Sequence, residues 1–129
     1  MYDCFVIMPL SGDFDGVYNA AIVPALTARH ISFLRADEEL RAGVVFDQIV
    51  ERIKEAKFCI ADVSGNNPNV TAEVGIAIAF GKPVILLTRD EMSNLPFDLR
   101  PFRVFPYDTE SGYIKLRSQL TLQRLFCST

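Results

Sequence analysis

The chain has 129 residues, 50% of them hydrophobic, with a formal net charge of -3 and a sequence pI of about 5.1. That length suits one domain around one core, and so apolar a composition argues against disorder. The acidic balance disfavours a nucleic-acid duplex as partner, no apolar run approaches the roughly 20 residues of a membrane helix, and Asp3 interrupts any leader-like start.

In chain order, "CFVIM" (Cys4–Met8) predicts a first strand. A helix follows, with Tyr18, Ala21, Ile22, Ala25 and Leu26 on one face, Asp13 or Asp15 as N-cap and a kink expected at Pro24. "ISFL" (Ile31–Leu34) is the second strand; Phe46, Ile49, Ile53 and Ala56 then form the inner stripe of a second helix. "FCIA" (Phe58–Ala61) gives a third strand, after which a helix runs from about Pro68 to Phe80. Asn67 is its N-cap, Pro68 suits its first position, and Gly81 with Pro83 ends it. "PVILL" (Pro83–Leu87) and "FRVF" (Phe102–Phe105) complete the strands, and a last helix covers Ser111–Phe126 with Tyr113, Leu116 and Leu120 inward. Between them, Arg89–Pro101 is the least regular segment, a lid or a short helix.

Strands that are continuously apolar, alternating with helices, predict a parallel sheet covered on both faces. The expected fold is a single domain over residues 1–129, a flavodoxin- or Rossmann-like three-layer α/β sandwich with a five-stranded parallel sheet. Cys4, Cys59 and Cys127 lack metal-type spacing and, with a single His, make a zinc site improbable; reduced thiols in a cytosolic protein are expected. No phosphate-binding glycine loop, dinucleotide fingerprint or nucleophile elbow is present, since "FGKPV" lacks both the earlier Gly and the following Ser or Thr.

Ligands of open parallel sheets bind beyond the carboxyl ends of the strands. The residues delivered there are Met8, Pro9, Ser11 and Gly12 after the first strand, and Arg35 and Asp37 after the second. Asp62, Ser64, Gly65, Asn67 and Asn69 follow the third. Arg35 and Asp37 either clamp a ligand or pair with each other. Glu73 is the one ionisable side chain between Val63 and Gly81, too deep in its helix for a capping box. Asn69, four residues earlier, shares its face. A structural Glu paired with Arg35 or Arg89 is one account of it; the other is a catalytic carboxylate. With Asp62 converging on the same pocket, two carboxylates suit glycosidic cleavage, one attacking the anomeric carbon and the other holding hydroxyls or handling a proton. No metal or redox cofactor is expected.

"CFVIMPLSGDFDGVYNAAIVPAL", "LRADE", "IADVSGNNPNVTAEVGIAIAFGKPVILL" and "LPFDLRPFRVFPY" together resemble the nucleoside 2-deoxyribosyltransferase-like superfamily, which includes 2′-deoxynucleoside 5′-phosphate N-hydrolases and is related in fold to TIR domains. The likeness covers about Cys4 to Tyr107. It implies that Glu73 is the glutamate that attacks C1′ to form a glycosyl-enzyme. By the same likeness Asp62 holds the sugar or the leaving base, the Met8–Gly12 loop lines the substrate site, and Asn69 approaches the ribose. The implied partner is a small nucleoside or nucleotide, and the implied assembly a homo-oligomer whose neighbour completes the site. Two departures stand out. Thr71-Ala72 replaces the aromatic pair that many relatives carry before the glutamate, and the first loop lacks an Arg while adding Asp13 and Asp15, which disfavours a 5′-phosphate. Two further readings therefore accompany the first: a TIR-like module that senses a nucleotide without turnover, and cleavage of NAD at its nicotinamide ribosyl bond.

Overall fold

A computed structural model describes residues 2–35, 46–95, 98, 102–109 and 111–122. Five strands form one all-parallel sheet: β1 (Cys4–Ile7), β2 (Phe33–Arg35), β3 (Phe58–Asp62), β4 (Val84–Thr88) and β5 (Arg103–Pro106), in the order β2-β1-β3-β4-β5. Side chains alternate across the sheet, so each strand feeds two cores. Cys4, Val6, Phe58, Ile60, Ile85 and Leu87 pack under α1 (Asp15–Val17), α2 (Val23–Ala28) and α5 (Tyr113–Leu122). Phe5, Ile7, Cys59, Ala61, Val84 and Leu86 pack under α3 (Phe46–Glu55) and α4 (Pro68–Ala79). The expected α/β architecture is therefore present, with helices on both faces. Each fully buried Ile or Leu contributes about 1.5–3 kcal/mol, and β1, β3 and β4 are buried at every position. The edge strands β2 and β5 are only half-covered.

Local chemistry explains where elements start and stop. At α4, Asn67 Oδ1 accepts from Asn69 N at 2.9 Å and Val70 N at 3.2 Å, Pro68 takes the first helical position, and Gly81 (φ 73°) closes the far end with its N–H on Ile78 O and that of Lys82 on Ala77 O. The same closure ends α2, with His30 (φ 55°) in the left-handed position: His30 N donates to Thr27 O and Ile31 N to Leu26 O. Ile31 and Leu26 are both buried beside that closure. Ile31 thus belongs to the helix end, which is why β2 begins at Phe33 and not at Ile31 as the apolar run suggested.

Pro24 produces no break. Tyr18–Ile22 winds as a π-helix in which Val23 N donates to Tyr18 O, widening the turn ahead of a residue that has no N–H to give. Phe46, expected inward, is 54% exposed; the other three residues of the expected stripe, Ile49, Ile53 and Ala56, are buried in the core. Within Arg89–Pro101, Met92–Asn94 forms one short 3-10 turn. The last helix is described as Tyr113–Leu122, with Leu116 and Leu120 buried and residues 123–126 of the expected span outside the described residues. Cys4 and Cys59 are buried thiols on opposite faces; burial pushes the Cys59 thiol up to about 12, so it is inert core.

Candidate functional site

Strand order reverses between β1 and β3, and their carboxyl ends define the switch point where open α/β sheets take ligands. The β1 loop begins with Met8 and Pro9, which are buried, so neither side chain lines an open site; Met8 sits at 0% exposure inside the core. Ser11 and Gly12 are exposed, and Ser11 Oγ accepts from Asp13 N at 3.3 Å to start the 3-10 turn Gly12–Phe14. Arg35 leaves β2 and braces this loop. Its guanidinium lies 4.7 Å from the Tyr18 ring centroid, donates to Pro9 O at 3.1 Å and pairs with Asp15 at 3.3 Å. Tyr18, expected on the helix's core face, also meets Phe33 edge-on at 6.4 Å. Asp37 lies outside the described residues.

After β3 the backbone turns sharply through Gly65 (φ 77°) and Asn66 (φ 51°), both left-handed. Asp90 Oδ2 accepts from Gly65 N at 2.6 Å and Asn66 Nδ2 donates to Asn94 O at 3.3 Å, so the loops after β3 and β4 are tied together. Gly65 and Asn69 are exposed; Asn67 is committed to capping α4.

Asp62, at 1% exposure, is hydrogen-bonded through both carboxylate oxygens. Its Oδ1 accepts from Ser64 N at 3.0 Å and Ser64 Oγ at 2.6 Å, and its Oδ2 accepts from Tyr107 Oη at 2.5 Å. Burial raises the Asp62 pKa, and these hydrogen bonds with the nearby Arg89 charge only partly counter it. Tyr107 is 7% exposed; burial raises its pKa, and so does the neighbouring Asp62 carboxylate. Arg89 binds the group together: Nε and Nη2 donate to Tyr107 Oη at 3.2 and 3.1 Å, Nη2 to Asp13 O at 3.2 Å, and its own N–H to Ser64 Oγ at 2.9 Å. The guanidinium also stacks 4.2 Å from the Phe14 ring. Arg89, the residue after β4, thereby links the loops after β1 and β5 through its side chain and the loop after β3 through its backbone N–H. From sequence, Asp62 is singled out as a site residue and Arg89 only as a partner for Glu73, with neither joined to Tyr107.

Glu73 is 4% exposed on α4, interleaved with the buried Val70, Val74 and Ala77. Those residues belong to the core beneath α3 and α4, whereas Asp62 is in phase with Phe58 and Ile60 on the other side of β3. The two carboxylates therefore approach the edge from opposite faces of the sheet. Beside Glu73, Thr71 Oγ1 donates to Asn67 O at 3.1 Å and Ala72 is exposed.

Two clefts open beyond β4 and β5. The larger, about 800 Å³, is lined in part by Arg89, Tyr107, Asp108, Lys115 and Gln119; the smaller, about 440 Å³, by Arg89, Asp90 and Met92 among others. Neither has Glu73 or Asp62 in its lining. Among the described residues, no group of three or more His, Cys, Asp or Glu is placed to hold a metal ion, and no helix is long and apolar enough to cross a membrane. No protein-family model matches the chain, and no curated protein matches it.

Proposed function

We propose that this chain is an N-glycosidase or deoxyribosyltransferase-type enzyme of the nucleoside 2-deoxyribosyltransferase-like superfamily, with Glu73 as its nucleophile. The observation that carries the reading is a carboxylate at 4% exposure in the second turn of a helix that starts at the switch-point edge of the sheet. Burial of this kind strips water from a carboxylate and favours its attack on an electron-poor anomeric carbon. A Glu73 oxygen would bond to C1′ as the bond from C1′ to the base nitrogen breaks, and the base would leave with a proton. Water, or the nitrogen of a second base, then displaces the glutamate and regenerates the carboxylate. The exposed Ser11, Gly12, Gly65 and Asn69 offer the sugar its polar contacts. Asp62 acts indirectly in this scheme, fixing Ser64 and Tyr107 and so the turn that leads into α4.

A panel of nucleosides, deoxynucleosides, their 5′-monophosphates and NAD, scored by chromatography for released base, tests the proposal. Glu73→Gln should lower release by roughly 10³-fold or more while leaving the far-ultraviolet circular dichroism unchanged. Undiminished release by that variant would remove Glu73 from the chemistry. A second reading, nucleotide sensing without turnover, draws on Thr71 and Ala72: one hydroxyl is spent on the helix backbone and the other side chain is a methyl, so this part of α4 provides no aromatic wall for a base. Saturable nucleotide binding with no released base would establish it instead.

A further inference from the structure

The geometry points to a second ligand site, separate from Glu73, in the cleft of about 800 Å³ between the β4 and β5 loops and α5, built for a small phosphomonoester that also carries a hydroxyl or amino group. Its cations come first. Among the described residues neither Arg89 nor Lys115 is paired with a carboxylate: Arg89 meets Tyr107 Oη and a carbonyl, and Lys115 forms no salt bridge.

The two carboxylates among the described residues of the lining accept from backbone donors. Asp90 accepts from Gly65 N at 2.6 Å and Asp108 Oδ1 from Ser111 N at 3.4 Å. A phosphate between Arg89 and Lys115 would gain charge-assisted bonds that these engaged acids do not supply.

A third feature is independent of charge. Gln119 lines the same cleft, and its Oε1 is buried without a hydrogen-bond donor among the described residues. A buried acceptor left without a donor is destabilising, and a ligand donor would satisfy it. The start of α5 adds to this, because Gly112 cannot bear a cap. A Cβ there would stand 2.4 Å from Asp108 N and 2.5 Å from Asp108 O. The volume exceeds what inorganic phosphate needs and falls within the range of about 300–1,000 Å³ of small-molecule sites. The ligand is accordingly a phosphate with a polar body.

The test is amide and side-chain NMR on the full chain, titrated to about 10 mM with inorganic phosphate, ribose 5-phosphate and ribose. Both phosphates should shift the amides of Ser111–Lys115 and the Arg89 Nε–H, ribose 5-phosphate at lower concentration, and ribose should shift neither. Lys115→Gln, an exposed substitution, should weaken both phosphates about tenfold. Gln119→Leu should weaken ribose 5-phosphate about threefold and leave inorganic phosphate unchanged. Glu73→Gln should bind as the parent does, so failure of the glycosidase reading leaves this site standing. Absence of saturable shifts at Ser111–Lys115, shifts confined to α4, or undiminished binding by Lys115→Gln would each overturn it.

Discussion

Tyr107→Phe isolates the strongest-looking contact at the edge of the sheet. The change removes one oxygen, which donates to Asp62 Oδ2 at 2.5 Å and receives two donors from Arg89. Arg89 is half-exposed and retains Asp13 O, so water can replace what it loses. Asp62 has no such recourse at 1% exposure, although Ser64 still supplies two bonds to its other oxygen. A hydrogen bond to a charged group contributes about 1.5–3 kcal/mol, and the void left by a hydroxyl is small, so a loss of about 2 kcal/mol is expected. For a chain of this length that corresponds to a melting point lower by about 7 °C and, with a slope near 2 kcal/mol per molar, a urea midpoint lower by about 1 M.

The pH dependence sharpens the test. Tyr107's hydrogen bond favours the charged form of Asp62, so its loss costs most where Asp62 is ionised. The deficit should be full above the raised pKa of Asp62 and narrow as pH falls through it. Circular dichroism is the probe of choice, because the chain contains no tryptophan. Urea titrations at intervals from about pH 4 to about pH 9 then give the deficit as a function of pH. A loss below about 0.5 kcal/mol at every pH, or one of constant size across that range, would refute the picture of a charged Asp62 stabilised by Tyr107.

Asp62→Asn addresses the same carboxylate from the other side. Because burial raises the folded pKa above the ordinary 3.8, Asp62's own contribution to stability is fully present below that value and lost as pH rises through the folded pKa. The stability of Asp62→Asn relative to the parent should therefore climb with pH above about 4, and a flat difference in urea midpoints would contradict the raised pKa. Two glycines separate steric from conformational demand. Gly112→Ala drives a methyl onto the backbone of Asp108 and should cost more than about 2 kcal/mol, whereas Gly65→Ala meets nothing within 4 Å and should cost only the roughly 1–2 kcal/mol of a left-handed φ. Equal melting-point losses for the two would mean that crowding at Gly112 is relieved by a shift of its loop.

How much was legible depended on whether the deciding interaction was local. The central strands read as unbroken apolar runs because layers cover both their faces, and α4 was bounded correctly by Asn67, Pro68 and Gly81, whose roles are fixed within a few residues. Ile31 misled because apolarity marks burial and not the element that does the burying: here it closes a helix. At Pro24 periodicity does not show how the missing N–H is accommodated: the π-helical turn Tyr18–Ile22 places Val23 N on Tyr18 O just ahead of it, and helix resumes at Val23.

The edge itself was half-readable. Asp62 ends β3, Arg89 follows Thr88 at the end of β4, and Tyr107 follows Pro106 at the end of β5. Each position is local, but their meeting depends on β3, β4 and β5 lying side by side in register, with Asp62 opposite Leu87 and Leu87 opposite Phe105. The same register sets the parity that puts Asp62 on one face of the sheet while α4 brings Glu73 to the other. A one-residue slip in β3 would turn Asp62 towards α4 and Ala61 towards Tyr107. Strand phase, which periodicity cannot assign to a particular face, decides from which side of the sheet each carboxylate approaches the edge.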